Sequence, residues 1–129
     1  MFEKPEVLAI ASSLAAHAAA RQTVIAENVA NADTPGYRAR DLPAFSMLYQ
    51  EVDATPLRAT RAGHLGATGG GVTLAAPDQT RRGTMAPNGN SVSLEGEMVK
   101  AAEVKREHDL ALAIYGKSLA ILRASLGRR

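Results

Sequence analysis

The features of this chain that could do chemistry are three histidines, a set of glutamates near the C-terminus and a glycine run. His17, His64 and His108 are isolated from one another. His17 and His108 fall in helical patterns, where packing explains them, His108 as a buried or partly solvated seam residue. Glu95, Glu97, Glu103 and Glu107 read as a solvated helix face rather than a carboxylate pair for acid–base work. The run Gly66–Gly71 has no lysine or serine at Walker spacing and no flanking strand, so it is not a phosphate loop. Asp53 and Asp78 have no partners at metal-ligand spacing. The absence of cysteine removes both thiolate zinc and a disulfide framework. No catalytic residue, metal site or cofactor is expected.

What the chain does carry is a stretch that stops a long helix and turns the chain away from it. Glu27–Tyr37 reads Glu-Asn-Val-Ala-Asn-Ala-Asp-Thr-Pro-Gly-Tyr. Asn28 and Asn31 sit at helical spacing just before the turn Thr34-Pro35-Gly36-Tyr37. Proline presets φ at the second position of a type II turn, and glycine supplies the positive φ needed at the third. Thr34 precedes a proline and is pushed out of the α region, so a helix must end before it. Asn31 suits a left-handed C-terminal cap, and Asp33 can bond its own backbone. So much punctuation implies a helix end held in one fixed geometry.

Two long helices must position this turn. From Glu6 to about Asn31, Val7, Ala11, Leu14, Ala18, Ile25, Val29 and Ala32 recur at helical spacing, with Pro5 suited to the first turn. Near the other end, Leu94, Met98, Ala101, Lys105, His108, Leu112, Tyr115, Leu119, Leu122 and Leu126 follow in steps of four and three. That is a heptad seam, broken in apolar character only at Lys105 and His108. A flanking row of Val104, Ala111, Ile114 and Ile121 widens its apolar face. A helix over 92–126 would be roughly 50 Å long and needs a partner as long as itself. The alanine-rich first helix is one partner, but alanine removes little surface from water, so the pair alone is marginal.

Between them the pattern changes. Asp41-Leu42-Pro43 can cap a short helix over 43–52, and Asn88-Gly89-Asn90-Ser91 supplies a turn and an N-cap for the second long helix. Residues 56–88 are glycine- and proline-rich with only Val72–Leu74 hinting at a strand, too long for a structureless loop inside a compact domain. The expected fold is mainly α: long terminal helices packed as an antiparallel, coiled-coil-like stave, with an irregular, partly mobile middle. Residues 1–36 form the first helix and its Pro-Gly turn, 37–90 the middle, and 91–129 the heptad helix; first and last make one domain.

Composition limits the function. Aromatic residues make up 4% of the 129, so the core is aliphatic. A net charge of +2 without a basic face interleaved with aromatics does not point to nucleic acid. No apolar run is long enough to span a membrane. Val7–Ala20 resembles a signal peptide in apolarity, but Glu3, Lys4, Glu6 and His17 argue against one, and cleavage is not expected.

Residues Asn28–Tyr37, their continuation Arg38-Ala39-Arg40-Asp41, and Asn88–Met98 together resemble the signature of bacterial flagellar rod and hook proteins, in particular the proximal rod type. The likeness covers both ends of the chain, and residues 46–87 match weakly. It implies a structural subunit exported by the flagellar type III apparatus, without a cleaved signal peptide, into the periplasmic part of the basal body. Its implied partners are other rod proteins, the rod-to-ring adaptor, the inner-membrane ring with its export gate, and further copies of itself. Val7, Leu14, Ile25, Val29, Leu94, Met98, Leu112, Tyr115, Leu119, Leu122 and Leu126 are the expected packing and assembly residues. Asn28, Asn31, Asp33, Thr34, Pro35, Gly36 and Tyr37 form the signature turn. A small helical adaptor or export chaperone that grips one partner helix is the alternative from another class.

Overall fold

A computed structural model describes residues 6–52, 78–79 and 85–127. In chain order the elements are helix α1 (Glu6–Ala30), strand β1 (Arg40–Asp41), helix α2 (Phe45–Val52), strand β2 (Asp78–Gln79) and helix α3 (Leu94–Ser125). The fold is mainly helical, with α1 and α3 packed together. The C-terminal end of α1 lies against the start of α3, as the Asn28–Glu97 contact requires, so the two helices are antiparallel. At 1.5 Å per residue, the 25 and 32 residues of these helices span about 37 and 48 Å. Two antiparallel residue pairs, Arg40 with Gln79 and Asp41 with Asp78, join β1 to β2. That pairing has no sequence signal. Pro5 and the strand suggested at Val72–Leu74 lie outside the described residues, as does most of 56–88.

Alanine-rich sequence makes α1, and Glu6 in its first turn favours the positive end of the helix dipole. Ser93 caps α3, its hydroxyl accepting the Gly96 N–H at 3.3 Å, and Glu95 and Glu97 occupy the first turn. The cap therefore falls on Ser93 rather than on the Asn88–Ser91 turn.

The line of contact between the helices is narrower than the sequence pattern suggests. Ala18, Ile25 and Val104 form the core, flanked by Ala101, and Ala11 and Ala111 are buried near one end. On α3 the buried residues Glu97, Val104 and Ala111 are seven apart, so the flanking row supplies the contact over this half. Along the expected heptad row, Leu94, Met98, Leu112, Tyr115, Leu122 and Leu126 are exposed, and Leu119 is half-buried. On α1, Ile25 is buried and Leu14 half-buried, while Val7 and Val29 are exposed. A strict heptad drifts by about 20° per repeat on a straight helix, so one such row cannot stay against a neighbour for the length of α3. The alanines of α1 also select by shape, because they let the two backbones come close only where α3 presents residues as compact as Val104 and Ala111.

Candidate functional site

The end of α1 is built as a closed hydrogen-bonded junction. Asn28 is fully buried. Its Nδ2 donates to the Arg40 carbonyl at 2.7 Å and to Glu97 Oε2 at 2.9 Å. Its Oδ1 accepts the Arg40 N–H at 3.0 Å and the Tyr37 hydroxyl at 3.3 Å. An amide has two donors and two acceptor sites, and here all four are used. One side chain thus joins α1, the turn, β1 and α3.

A second asparagine does the same for the carbonyls that the helix end leaves without partners. Asn90 is buried, and its Nδ2 lies 2.9, 2.7 and 2.9 Å from the carbonyl oxygens of Asn31, Ala32 and Thr34. Its Oδ1 accepts the Val92 N–H at 2.7 Å, which sets the chain on course into α3. Asn31 closes the helix differently from the expected left-handed cap, since no non-glycine residue among those described has positive φ. Its Nδ2 donates back to the Glu27 carbonyl at 2.8 Å, and its Oδ1 accepts the Thr34 hydroxyl at 3.2 Å.

The turn forms as the sequence predicts. Tyr37 N–H donates to the Thr34 carbonyl at 3.2 Å, and Gly36 has φ of 72°. Gly36 N–H then donates to Asn88, and Ser91 N–H to Tyr37, both at 3.0 Å, sewing the turn to residues 88–91. Gly89, also at positive φ, faces it so closely that an added Cβ would sit 3.5 Å from Gly36 Cα. Asp33, Thr34, Pro35 and Gly36 are exposed, while Asn31 and Tyr37 are half-buried.

Charges brace the same junction. Arg21 Nε donates to Asp41 Oδ1 at 2.8 Å and Nη2 to Oδ2 at 3.1 Å, a two-pronged pair. Lys100 Nζ lies 3.5 Å from Asp41 Oδ2 and 2.9 Å from Glu97 Oε1. Burial pushes the Asp41 carboxyl up. The Arg21 hydrogen bonds, the charges of Arg21 and Lys100, and the Leu42 N–H together outweigh it, so its pKa lies below the ordinary aspartate value. The hydrogen bond to Asp41 raises that of Arg21. Expected as a helix cap, Asp41 thus serves as the second carboxylate of a four-residue ion network, with Glu97 as the other. Glu97, expected on the solvated face, is 3% exposed, whereas Glu95 and Glu103 are exposed as predicted. A signal for Glu97 was present: it stands seven residues before Val104, on the buried line.

Further along α1, His17 is buried, donates from Nε2 to the Pro43 carbonyl at 2.9 Å and lies 5.7 Å from the Phe45 ring. It pins the start of α2, a packing role as expected. His108 is half-buried beside Lys105 in a groove of about 520 Å³ between α1 and α3, floored by Ala18, Ala19, Ala101 and Ala102.

These residues join helix, turn, strand and second helix, and they lie where the comparisons with known proteins match. Residues 8–38, which are α1 and its turn, match the family described as flagella basal body rod protein. The flagellar basal body rod protein FlgB of Agrobacterium fabrum is 34% identical over 108 residues, 81% of each chain. That of Salmonella typhimurium is 33% identical over 110 residues, 78% of each chain, and that of Cereibacter sphaeroides 29% identical over 82% of each. The chain belongs to the flagellar basal body rod protein family. It is a structural subunit of the flagellar rod. No helix among the described residues is long and apolar enough to cross a membrane.

Proposed function

We propose that this chain is a stave of the proximal rod that packs through its terminal helices against other rod proteins, beside the inner-membrane ring, its export gate and the rod-to-ring adaptor. It works by shape and adhesion, with no catalytic step. One observation carries the reading: α3 keeps Leu94, Met98, Leu112 and Ile121, and its C-terminal cap Leu126, half or more exposed while its buried line contacts α1. Exposed apolar residues along a long helix held in fixed register suit side-by-side packing in a tube, where a heterologous contact repeats without closing on itself. In this reading the signature turn fixes the angle between the helix and the segment after it. Export by the flagellar type III route with α1 intact is part of the proposal, because α1 residues Ala11, Ala18 and Ile25 are needed for the stave. The test is the mass and N-terminal sequence of the chain recovered from isolated basal bodies of a complemented deletion strain. A chain beginning at Met1 or Phe2 supports the proposal. Its absence from rods, or an N-terminus near Ala19, would overturn it.

A further inference from the structure

Asparagine carries a slow reaction of its own and is counted among the thermolabile residues. The backbone nitrogen of the next residue attacks its side-chain carbonyl carbon, and a following glycine permits this best because it has no Cβ to crowd the approach. Of the chain's four asparagines, Asn28 precedes Val29, Asn31 precedes Ala32 and Asn90 precedes Ser91; Asn88 alone precedes a glycine. Asn28 and Asn90 are buried with their amides hydrogen-bonded, whereas Asn88 is exposed and Gly89 half-buried. The closed junction nevertheless holds Asn88 and Gly89 in a geometry that does not react. Gly89 N–H donates to the Ala86 carbonyl at 2.8 Å, closing a turn with Pro87 and Asn88 at its central positions. In the common turns of this kind ψ at the second central residue is near 0°, which points the next nitrogen away from that residue's side chain. Asn88 Oδ1 accepts the Asn90 N–H at 3.1 Å, and the Asn88 backbone carbonyl accepts the Gly36 N–H at 3.0 Å. Bringing the Gly89 nitrogen to Asn88 Cγ rotates the Asn88 Cα–C bond, so it breaks the bonds to both Ala86 and Gly36.

We propose that Asn88 is a site of self-modification guarded by the junction, deamidating only while residues 86–91 are detached from the turn at Gly36. In the open chain the Gly89 nitrogen bonds to Asn88 Cγ and the Cγ–Nδ2 bond breaks. The proton from Gly89 passes through solvent to Nδ2, which leaves as ammonia. Water then opens the cyclic imide, at Cγ to give aspartate or at the backbone carbonyl to give isoaspartate. One water enters, one ammonia leaves, and nothing is oxidised or reduced. The two products treat the junction differently. Aspartate keeps a side-chain oxygen for the Asn90 N–H and leaves the backbone carbonyl in place for Gly36. Isoaspartate routes the main chain through Cβ and Cγ, which lengthens the backbone by one atom. It does so where the chains already lie close, since a Cβ added to Gly89 would stand 3.5 Å from Gly36 Cα. Closure therefore protects the site, and modification to isoaspartate prevents closure, so a chain that stays open too long is marked irreversibly.

The test incubates the purified full chain in mildly alkaline buffer, folded in one arm and unfolded in guanidinium chloride in the other. Peptide mass spectrometry locates the exchange of NH for O, and isoaspartyl methyltransferase labelling distinguishes the two products. Asn88 should convert first in the unfolded chain. In the folded chain it should convert at least about tenfold more slowly, because opening must break several hydrogen bonds together. Asn28→Ala loosens the junction without touching residues 86–91, so under folding conditions its rate at Asn88 should rise toward that of the unfolded chain. After refolding of the aged mixture, chains with aspartate at position 88 should regain the urea midpoint of the unaged protein, and chains with isoaspartate there should fall below it. Equal rates in the folded and unfolded wild type would overturn the guarding role, as would an Asn28→Ala rate no faster than the folded wild type. First conversion at Asn28, Asn31 or Asn90 would overturn the assignment of the site, and an unchanged midpoint for the isoaspartate form would overturn the block to closure.

Discussion

Replacing Asn28 with alanine tests the joinery most directly. The change removes four hydrogen bonds at a residue with no solvent exposure. The bond to the Glu97 carboxylate is charge-assisted, worth about 1.5–3 kcal/mol, and Glu97 is 3% exposed, so water replaces it poorly. Lys100 still reaches the other carboxylate oxygen, which keeps the loss below that of a stranded buried charge. The Arg40 groups belong to an exposed residue and partly recover water, adding less. Together the loss should be about 3 kcal/mol, a large fraction of the stability of a small helical domain. Urea unfolding followed by helix circular dichroism reads it directly. Glu97→Ala and the double variant complete a cycle, in which the double should fall short of the sum by about 1–2 kcal/mol. A loss under about 1 kcal/mol for Asn28→Ala, or strict additivity with Glu97→Ala, would show that the asparagine does not hold the helices together.

The turn gives a comparison of two residues at one position: Gly36→Val should impair motility far more than Gly36→Asn, because an added Cβ meets nothing within 4 Å and only the positive φ discriminates. Equal motility would refute that. The Asp41 carboxyl has a lower pKa folded than unfolded, so its contribution is full above the unfolded value of about 3.9 and fades as pH falls through the folded one. Acid unfolding of the wild type should therefore steepen below about pH 4, and Asp41→Asn should flatten that part of the curve. Leu122→Asp should leave helix content and urea midpoint of the isolated chain nearly unchanged, since the residue is 36% exposed, yet prevent recovery of the chain in pelleted rods. Rods of normal yield would remove α3's outer face from assembly.

Legibility in the sequence followed the range of the interaction. Helix positions, the stop before Thr34, the positive φ of Gly36 and the short helix near 45–52 are set by local chemistry, and they stood in the sequence within a residue or two. The face that α3 turns toward α1 did not, because the largest apolar residues mark the heptad row while contact goes to compact Val104 and Ala111. Alanine against alanine is a weak signal in any hydrophobicity pattern, though it packs closest. The partners of Asn90 and Glu97 were hidden for another reason. Asparagine in a glycine turn and glutamate in a first helical turn are each explained locally, so nothing marks their partners 56 to 69 positions away. The Arg21–Asp41 and Arg40–Gln79 pairings are likewise products of tertiary closeness.

That last pairing separates what the chain must keep from what it is free to change. β1 and β2 hold Asp41 and Asp78 side by side, and the Gly36–Gly89 contact holds the neighbouring strands of chain together a few residues away. Whatever lies between Asp41 and Asp78 therefore enters and leaves through one fixed port. Lengthening a segment whose ends are already joined adds only the entropy of a longer closed loop, about 0.6 kcal/mol for each doubling. The port is thus a place where a fluorescent domain or an epitope can be grafted while α1 and α3 keep their register, and where natural length differences can accumulate at little thermodynamic consequence.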